Sequence, residues 1–278
     1  MRNNFSMKVR LYIIFLISIA AVSCGEYEKI LKSTDYELKK AKAVEYYNAK
    51  QYGKATELFS QVIPRFRASA EVEELFWLNA QSFYNMRQYD VAGSYFKSIA
   101  EQYPFGPYAE ESSFLGALCD YNLAPRAELD QTSSRSAIEG FNLFLTRFPA
   151  SPKAEEARKY IQELQDRLVE KSYLNARLYY NMKEYKAAIT ALTNSLKEYS
   201  DSKYREEMMF LKLNSLFLYA ENSYAIRQKE RYQATLDEYF SFMEEFPKSQ
   251  YSREVSRIYD VTTKYLKVKS PQELENLE

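Results

Sequence analysis

Tyr47-Asn48-Ala49-Lys50-Gln51-Tyr52-Gly53-Lys54-Ala55 returns as Tyr84-Asn85-Met86-Arg87-Gln88-Tyr89-Asp90-Val91-Ala92, and again as Tyr180-Asn181-Met182-Lys183-Glu184-Tyr185-Lys186-Ala187-Ala188. Each copy closes one amphipathic stretch and opens another. Counted from the small residue that ends the motif, apolar side chains fall at offsets 4, 7, 8 and 11, as in Ala55 with Phe59, Val62, Ile63 and Phe66, or Ala92 with Phe96, Ile99, Ala100 and Tyr103. Ala137 leads the same pattern through Phe141, Phe144, Leu145 and Phe148. Ala188 leads Leu192, Leu196 and Tyr199, with Ser195 as a polar break, and Thr235 leads Tyr239, Phe242, Met243 and Phe246. Those offsets describe one face of an α-helix.

The second stretch of every pair stops in the same way, on an aromatic residue, usually Pro, and then Ser or Gly. Phe66-Arg67-Ala68-Ser69 is followed by Tyr103-Pro104-Phe105-Gly106, Phe148-Pro149-Ala150-Ser151, Tyr199-Ser200-Asp201-Ser202 and Phe246-Pro247-Lys248-Ser249. Pro cannot continue a helix, and Ser accepts hydrogen bonds from the free amides that open the next one. A helix pair repeated like this buries its apolar face only against its neighbours, which predicts a solenoid. Ala43, Tyr46, Tyr52, Ala55 and Phe59 stand where the tetratricopeptide (TPR) pattern wants small and aromatic residues, and Ala80, Phe83, Tyr89, Ala92, Phe96 and Pro104 follow suit. The expected fold is all-α: a TPR solenoid of five helix pairs (36–68, 70–105, 107–150, 152–200 and 202–248) with a capping helix at 250–268. One departure carries an energetic expectation. The inter-helix Gly of the TPR pattern is replaced by Lys50, Arg87 or Lys183, and a side chain at positive φ costs about 1 kcal/mol; either the turn relaxes or the stack absorbs the strain.

Spacing between the helix-ending aromatics (Phe66, Tyr103, Phe148, Tyr199, Phe246) exceeds the 34-residue TPR period, so each surplus needs a place. Pro125 and the run Asp130-Gln131-Thr132-Ser133-Ser134 put one in a loop over 123–134. Ala154, Ala157, Ile161, Leu164, Leu168 and Tyr173 keep helical spacing, so residues 152–182 read as one helix shared by two repeats. In the fifth unit the extra residues lie around 221–231.

Composition narrows the chemistry. The chain has 278 residues, 26 Tyr, 17 Phe, 1 Trp, 6 Gly and no His, whereas average usage would supply roughly 19 Gly. Six scattered glycines write no phosphate-cradling loop, and absence of His removes Ser-His-Asp and Cys-His catalysis and the His-based metal motifs. The 38 basic and 38 acidic residues give no basic surface for nucleic acid. No catalytic site, metal site or cofactor is expected. The acidic pairs Glu73-Glu74 and Glu110-Glu111 read as solvated faces.

At the N-terminus, Arg2, Lys8 and Arg10 precede an apolar run from Leu11 to Val22, too short to span a bilayer and typical of an export signal. Ala21-Val22-Ser23-Cys24-Gly25 resembles the bacterial lipobox, in which the Cys is lipidated before cleavage; an ordinary secretory signal with Cys24 a bystander is the alternative. Residues 1–23 then form the signal peptide, 24–34 a lipid-anchored linker and 269–278 a loose tail. Cys119 becomes the remaining thiol, read as a buried apolar residue. Cleavage leaves 35 basic against 38 acidic residues, so membrane attachment rests on the lipid rather than on a basic patch.

Lipobox, five helix pairs, the long shared helix and the third-unit pattern Asp130-Gln131, Ala137-Ile138, Phe141, Phe144, Phe148-Pro149-x-Ser151 and Ala157 to Tyr179 together resemble the BamD family of lipoproteins. These serve the outer-membrane β-barrel assembly (BAM) machinery. The resemblance implies an outer-membrane anchor on the periplasmic face, docking to the periplasmic domains of BamA, contact with unfolded β-barrel precursors and with other BAM lipoproteins, and no catalysis. Gly25 after the Cys accords with outer-membrane sorting. Another outer-membrane TPR lipoprotein, scaffolding cell-wall or secretion machinery or binding glycan, is the alternative. With the first helix of each TPR pair on the concave face, Lys40, Val44, Tyr47 and Asn48 line up beside Trp77, Gln81, Tyr84 and Asn85 as a candidate substrate groove. Arg177, Tyr180 and Asn181 follow, beside Tyr173, as candidate partner-binding residues. Aromatic bodies with polar tips suit an extended peptide, while packing of the same rings between helices is the competing use.

Overall fold

A computed structural model describes residues 25–266, and among them the regular structure is entirely helical. The expected lipidation residue Cys24, the expected signal peptide 1–23 and the expected tail 269–278 lie outside the described residues. The chain divides into two compact units, one running to Pro125 and including Thr132–Gln162, the other made of Arg126–Gln131 and the residues from Glu163 onward. The first holds α1 (25–32), α2 (Tyr36–Asn48), α3 (Tyr52–Val62), α4 (Val72–Asn85), α5 (Tyr89–Gln102), α6 (Ala109–Leu123) and α7 (Thr132–Arg147). Helix α8 (Ala154–Asn181) begins there and continues into the second unit, which adds α9 (Tyr185–Glu198), α10 (Arg205–Glu221), α11 (Ala225–Glu245) and α12 (Ser252–Leu266). The 28-residue α8 is the shared helix that the unbroken apolar spacing predicts.

Each apolar face lands in a core. In the first unit Ala43, Ala55, Leu58, Phe59 and Val62 are buried together, with Leu75 from the next pair closing the cluster. In the second, Tyr173, Ala176, Ala188, Leu192, Met208 and Leu211 form one cluster, while Leu213, Phe217, Phe242, Val255 and Ile258 form another. Helix α12 therefore covers the last pair, as a cap must. Close approach of α5, α6 and α7 is where Gly is needed: a Cβ on Gly140 would lie 2.9 Å from Ala117 Cβ, and one on Gly93 3.0 Å from Cys119 Cβ. Cys119 is fully buried there, and burial pushes its thiol up to about 12, so the expectation of a buried apolar residue holds.

The three copies of the Tyr-Asn motif close their helices identically. Lys50, Arg87 and Lys183 adopt φ of 59°, 59° and 62°, so the turn is not relaxed. Each donates its N–H to the carbonyl two residues before the cap (Tyr47, Tyr84 and Tyr180, all at 2.9 Å), and the next residue donates to Tyr46, Phe83 or Tyr179 at 2.8–3.0 Å. This paired closure satisfies carbonyls that the helix end leaves open, and it fits Gly best. Replacing Lys50, Arg87 or Lys183 by Gly should therefore raise stability by about 0.5–1 kcal/mol apiece, relief of strain outweighing the added freedom of the unfolded chain. Urea unfolding reads this as a higher midpoint at constant slope; an unchanged or lower midpoint would show that the strain is not there.

Three expectations need correction. Residues 25–32, expected as linker, are helical and packed: Tyr27 and Ile30 are only 8% and 6% exposed within the first cluster. The loop expected over 123–134 is confined to 124–131, because Thr132 already opens α7. There the Gln131 amide turns back to donate to the carbonyls of Arg126 (2.8 Å) and Leu129 (3.1 Å) and folds the loop tightly. Ser151, Ser202 and Ser249 do accept amide hydrogen bonds at 3.0–3.1 Å, but from Lys153, Tyr204 and Tyr251, which precede the helices; each serine thus starts an entry turn rather than capping the α-helix itself. The surplus around 221–231 is mostly helix, a two-turn extension at the start of α11.

Candidate protein-binding surface

The entry turns position the first helix of each pair, through a contact that recurs along the chain. Two residues after the Ser or Gly of each turn comes Glu71, Tyr108, Lys153, Tyr204 or Tyr251. Each rests on one residue of the preceding first helix. Tyr108 stacks on Trp77 with centroids 4.9 Å apart and planes 16° apart. Tyr204 stacks on Tyr173 at 4.3 Å and 2°, and Tyr251 on Phe210 at 4.1 Å and 3°. Lys153 places its ammonium 4.8 Å from the ring centre of Phe114, and Glu71 pairs with Lys40 at 2.7 Å. Offset stacking and cation–π contact each add roughly 0.5–1.5 kcal/mol beyond area burial, so this position stitches one pair to the next.

Acids opening the first helices reinforce the stitch, which corrects the reading of Glu73 and Glu111 as part of solvated faces. Glu73 accepts the Tyr108 N–H at 3.3 Å, Glu111 pairs with Lys153, and Glu206 accepts from Ser249 Oγ (2.6 Å) and the Gln250 N–H (3.3 Å). A carboxylate in the first helical turn also meets the positive end of the helix dipole.

The candidate groove residues of the first unit take their places on this frame. Lys40 and Trp77 are the stitching residues of α2 and α4. Hydrogen bonds to Glu37 and Glu71 hold the Lys40 pKa above its ordinary value, and its ammonium also lies 4.6 Å from the Phe66 ring centre. Tyr47 and Tyr84 are half-buried and turn their rings onto the aromatic that opens the following helix: Tyr47 meets Tyr52 at 5.8 Å and Tyr84 meets Tyr89 at 5.4 Å, both edge to face. Burial raises the pKa of both phenols. Trp77 and Tyr84 also share Phe96, at 5.5 and 6.2 Å. Gln81 is partly exposed and Asn48 and Asn85 are exposed; the Asn85 amide donates to the Gln81 carbonyl at 2.7 Å. Since α2 packs on α4, the repeat-equivalent pairs Lys40 and Trp77, Tyr47 and Tyr84, and Asn48 and Asn85 form parallel rows. Asn48 and Asn85 are exposed, while most of the ring area of Tyr47, Trp77 and Tyr84 is used in packing.

In the second unit, Tyr180 repeats the arrangement with Tyr185 at 6.4 Å, and its hydroxyl accepts from Asn214 Nδ2 at 2.8 Å. Arg177 is exposed and donates to the Tyr173 hydroxyl at 2.9 Å, and Asn181 is exposed at the end of α8. Beside them lies a feature that periodicity overlooks: Leu178, Tyr179 and Met182 are 54%, 42% and 60% exposed. Apolar side chains grouped at one helix end, next to a cation, mark a surface suited to a protein partner. Their signal in the sequence was an apolar residue on the polar side of the helical pattern. No helix among the described residues is long and apolar enough to cross a membrane.

Comparison with known proteins bears on what this surface serves. The profile of the family YfiO, described as outer membrane lipoprotein, matches residues 38–231, from α2 into α11. A search of curated proteins found no match. Among solved structures, the TPR2AB domain:pHSP90 complex of yeast Sti1 aligns over 82% of this chain and 98% of its own at 15% identity, with a TM-score of 0.35, a superposition too loose to build on.

Proposed function

This chain belongs to the YfiO family of outer membrane lipoproteins, and from that premise we propose that it is a non-catalytic adaptor of the β-barrel assembly machinery. In this reading it is anchored by acyl chains on Cys24, faces the periplasm, docks on the periplasmic domains of BamA and helps to receive unfolded β-barrel precursors. The observation that carries the reading is the match of the family profile to the repeat region, joined to a lipobox Cys in front of it. The row of Lys40, Tyr47, Asn48, Trp77, Gln81, Tyr84 and Asn85 is the proposed precursor-binding face. Arg177, Tyr180 and Asn181, with the exposed apolar group beside them, form the proposed docking face for the partner. Several acyl chains give an anchor that a single chain cannot.

Affinity purification of the full-length tagged protein from detergent-solubilised outer membranes tests the reading. Recovery of BamA as a main partner is expected, together with loss of the protein from the membrane fraction for Cys24→Ser. Cell-wall or secretion components without BamA would transfer the protein to a different scaffold, and a Cys24→Ser protein that stays in the membrane would remove the lipid anchor from the account.

A further inference from the structure

Helix α1 is described from residue 25, the residue that follows the Cys that the proposed function makes the lipid attachment point, and it does not hang free. An isolated helix of this length is unstable in water, so its contacts sustain it. Tyr27 sets its ring edge to face against Tyr46 at 5.6 Å and donates its hydroxyl to Glu57, while Lys54 lies 5.4 Å from the Tyr27 ring centre. Glu26 pairs with Lys42 at 3.7 Å. At the other end of α1, Lys39 Nζ donates to the Leu31 carbonyl at 3.0 Å. Successive residues of α1 thus run back along α2, from the Lys42–Tyr46 end toward Lys39, and Tyr27 lies beside Tyr46 and Lys54, which flank the α2–α3 turn.

We propose that in the lipidated protein this turn, Ala49 to Gly53, is held directly against the phospholipid headgroups, with α1 acting as a rigid splint between anchor and first repeat. The inference rests on lipidation of Cys24. One peptide unit spans at most about 3.8 Å, so an acylated Cys24 leaves no slack between the bilayer and a helix already fixed to α2 and α3. Charge does not oppose the occupant: Glu26, Glu45 and Glu57 near this edge are matched by Lys42, Lys50 and Lys54, and of these Lys50 is exposed at the turn itself. Arg87 occupies the equivalent turn of the next pair, and both cations can meet anionic phospholipid.

The experiment uses the full lipidated chain purified from membranes and reconstituted in vesicles that carry a quencher on the lipid headgroup. One fluorophore is placed by Gly53→Cys, where an added side chain meets nothing within 4 Å, and another by Phe105→Cys, which is 99% exposed at the opposite end of α5. Buried Cys119 does not compete for the label. Quenching at position 53 should exceed that at position 105 by about twofold or more, because the 14 residues of α5 set the two edges ~20 Å apart. A flexible Gly-Ser insertion between Cys24 and Gly25, which touches no contact of α1, should erase most of the difference, and Tyr27→Ala should reduce it. Equal quenching at the two positions, or a difference that survives the insertion, overturns the splint. Mass analysis of the N-terminal peptide separates the two levels: an unmodified Cys24 overturns the anchor itself, whereas a lipidated Cys24 with equal quenching overturns only the splint.

Discussion

Trp77→Ala should destabilise the protein by about 2–3 kcal/mol, somewhat less than the full cost of deleting a wholly buried aromatic side chain, because part of the Trp77 ring reaches solvent. The substitution removes the stack on Tyr108 and the contact with Phe96 together. Trp77→Phe should recover most of the loss. Tyr224→Ala, at a position 88% exposed, should stay within about 0.5 kcal/mol of the parent. Chemical denaturation followed by circular dichroism reads all three. A Trp77→Ala protein as stable as the parent would mean that the ring is held for recognition and not for packing. The test of recognition is then made with Trp77→Phe, which preserves the stack: photo-crosslinkers at Asn48 and Asn85, both exposed on the same face, should capture unfolded β-barrel precursor in the parent and less of it in the variant.

Alkaline pH should unfold the protein through its tyrosines. Burial raises the pKa of ten of them above the ordinary value near 10, among them Tyr27, Tyr47, Tyr84, Tyr180 and Tyr232, and carries Tyr173 to about 12 with help from a hydrogen bond to Glu207. A group whose folded pKa exceeds its unfolded one binds its proton more tightly in the native state. Its contribution is complete below about pH 10 and is lost as pH climbs through the raised values. Because many such phenols sit between helices, their losses add, and helicity should collapse cooperatively above pH 10 with tyrosinate absorbance rising in step. Tyrosinate forming along a simple curve centred near 10, while helical circular dichroism persists, would show that these rings are not held in the interior.

Much of this architecture is legible in the chain because a repeat writes the same physical problem several times. The offsets from Ala55, Ala92, Ala137, Ala188 and Thr235 place apolar side chains on one face, and the buried sets of α3, α5, α7 and α9 follow them. The unbroken spacing from Ala154 to Tyr173 announces α8, and the three Tyr-Asn motifs announce turns whose residues take positive φ even without Gly. Less legible is the use of each ring on the first helices. Such a helix packs against its own partner and against the next pair, so its apolar positions spread around the cylinder and the period no longer separates packing from recognition. Trp77, Tyr108, Tyr173, Tyr204, Phe210 and Tyr251 look alike in composition, yet they form three stacked pairs.

By itself the sequence determined the helical class, the five pairs with their cap, and the stops of α5, α7, α9 and α11 at Tyr103, Phe148, Tyr199 and Phe246, since those depend on local preferences repeated at fixed spacing. Helix α3 already ends at Val62, ahead of Phe66. Only the tertiary structure decided that residues 25–32 are a docked helix and not a tether, that Glu73, Glu111 and Glu206 clasp the next entry turn, and that most of the aromatic surface of the candidate groove is already used in packing. Each of these is a contact between residues of different helices or turns, whose energy comes from the partner that folding brings alongside and leaves no period in the chain to read.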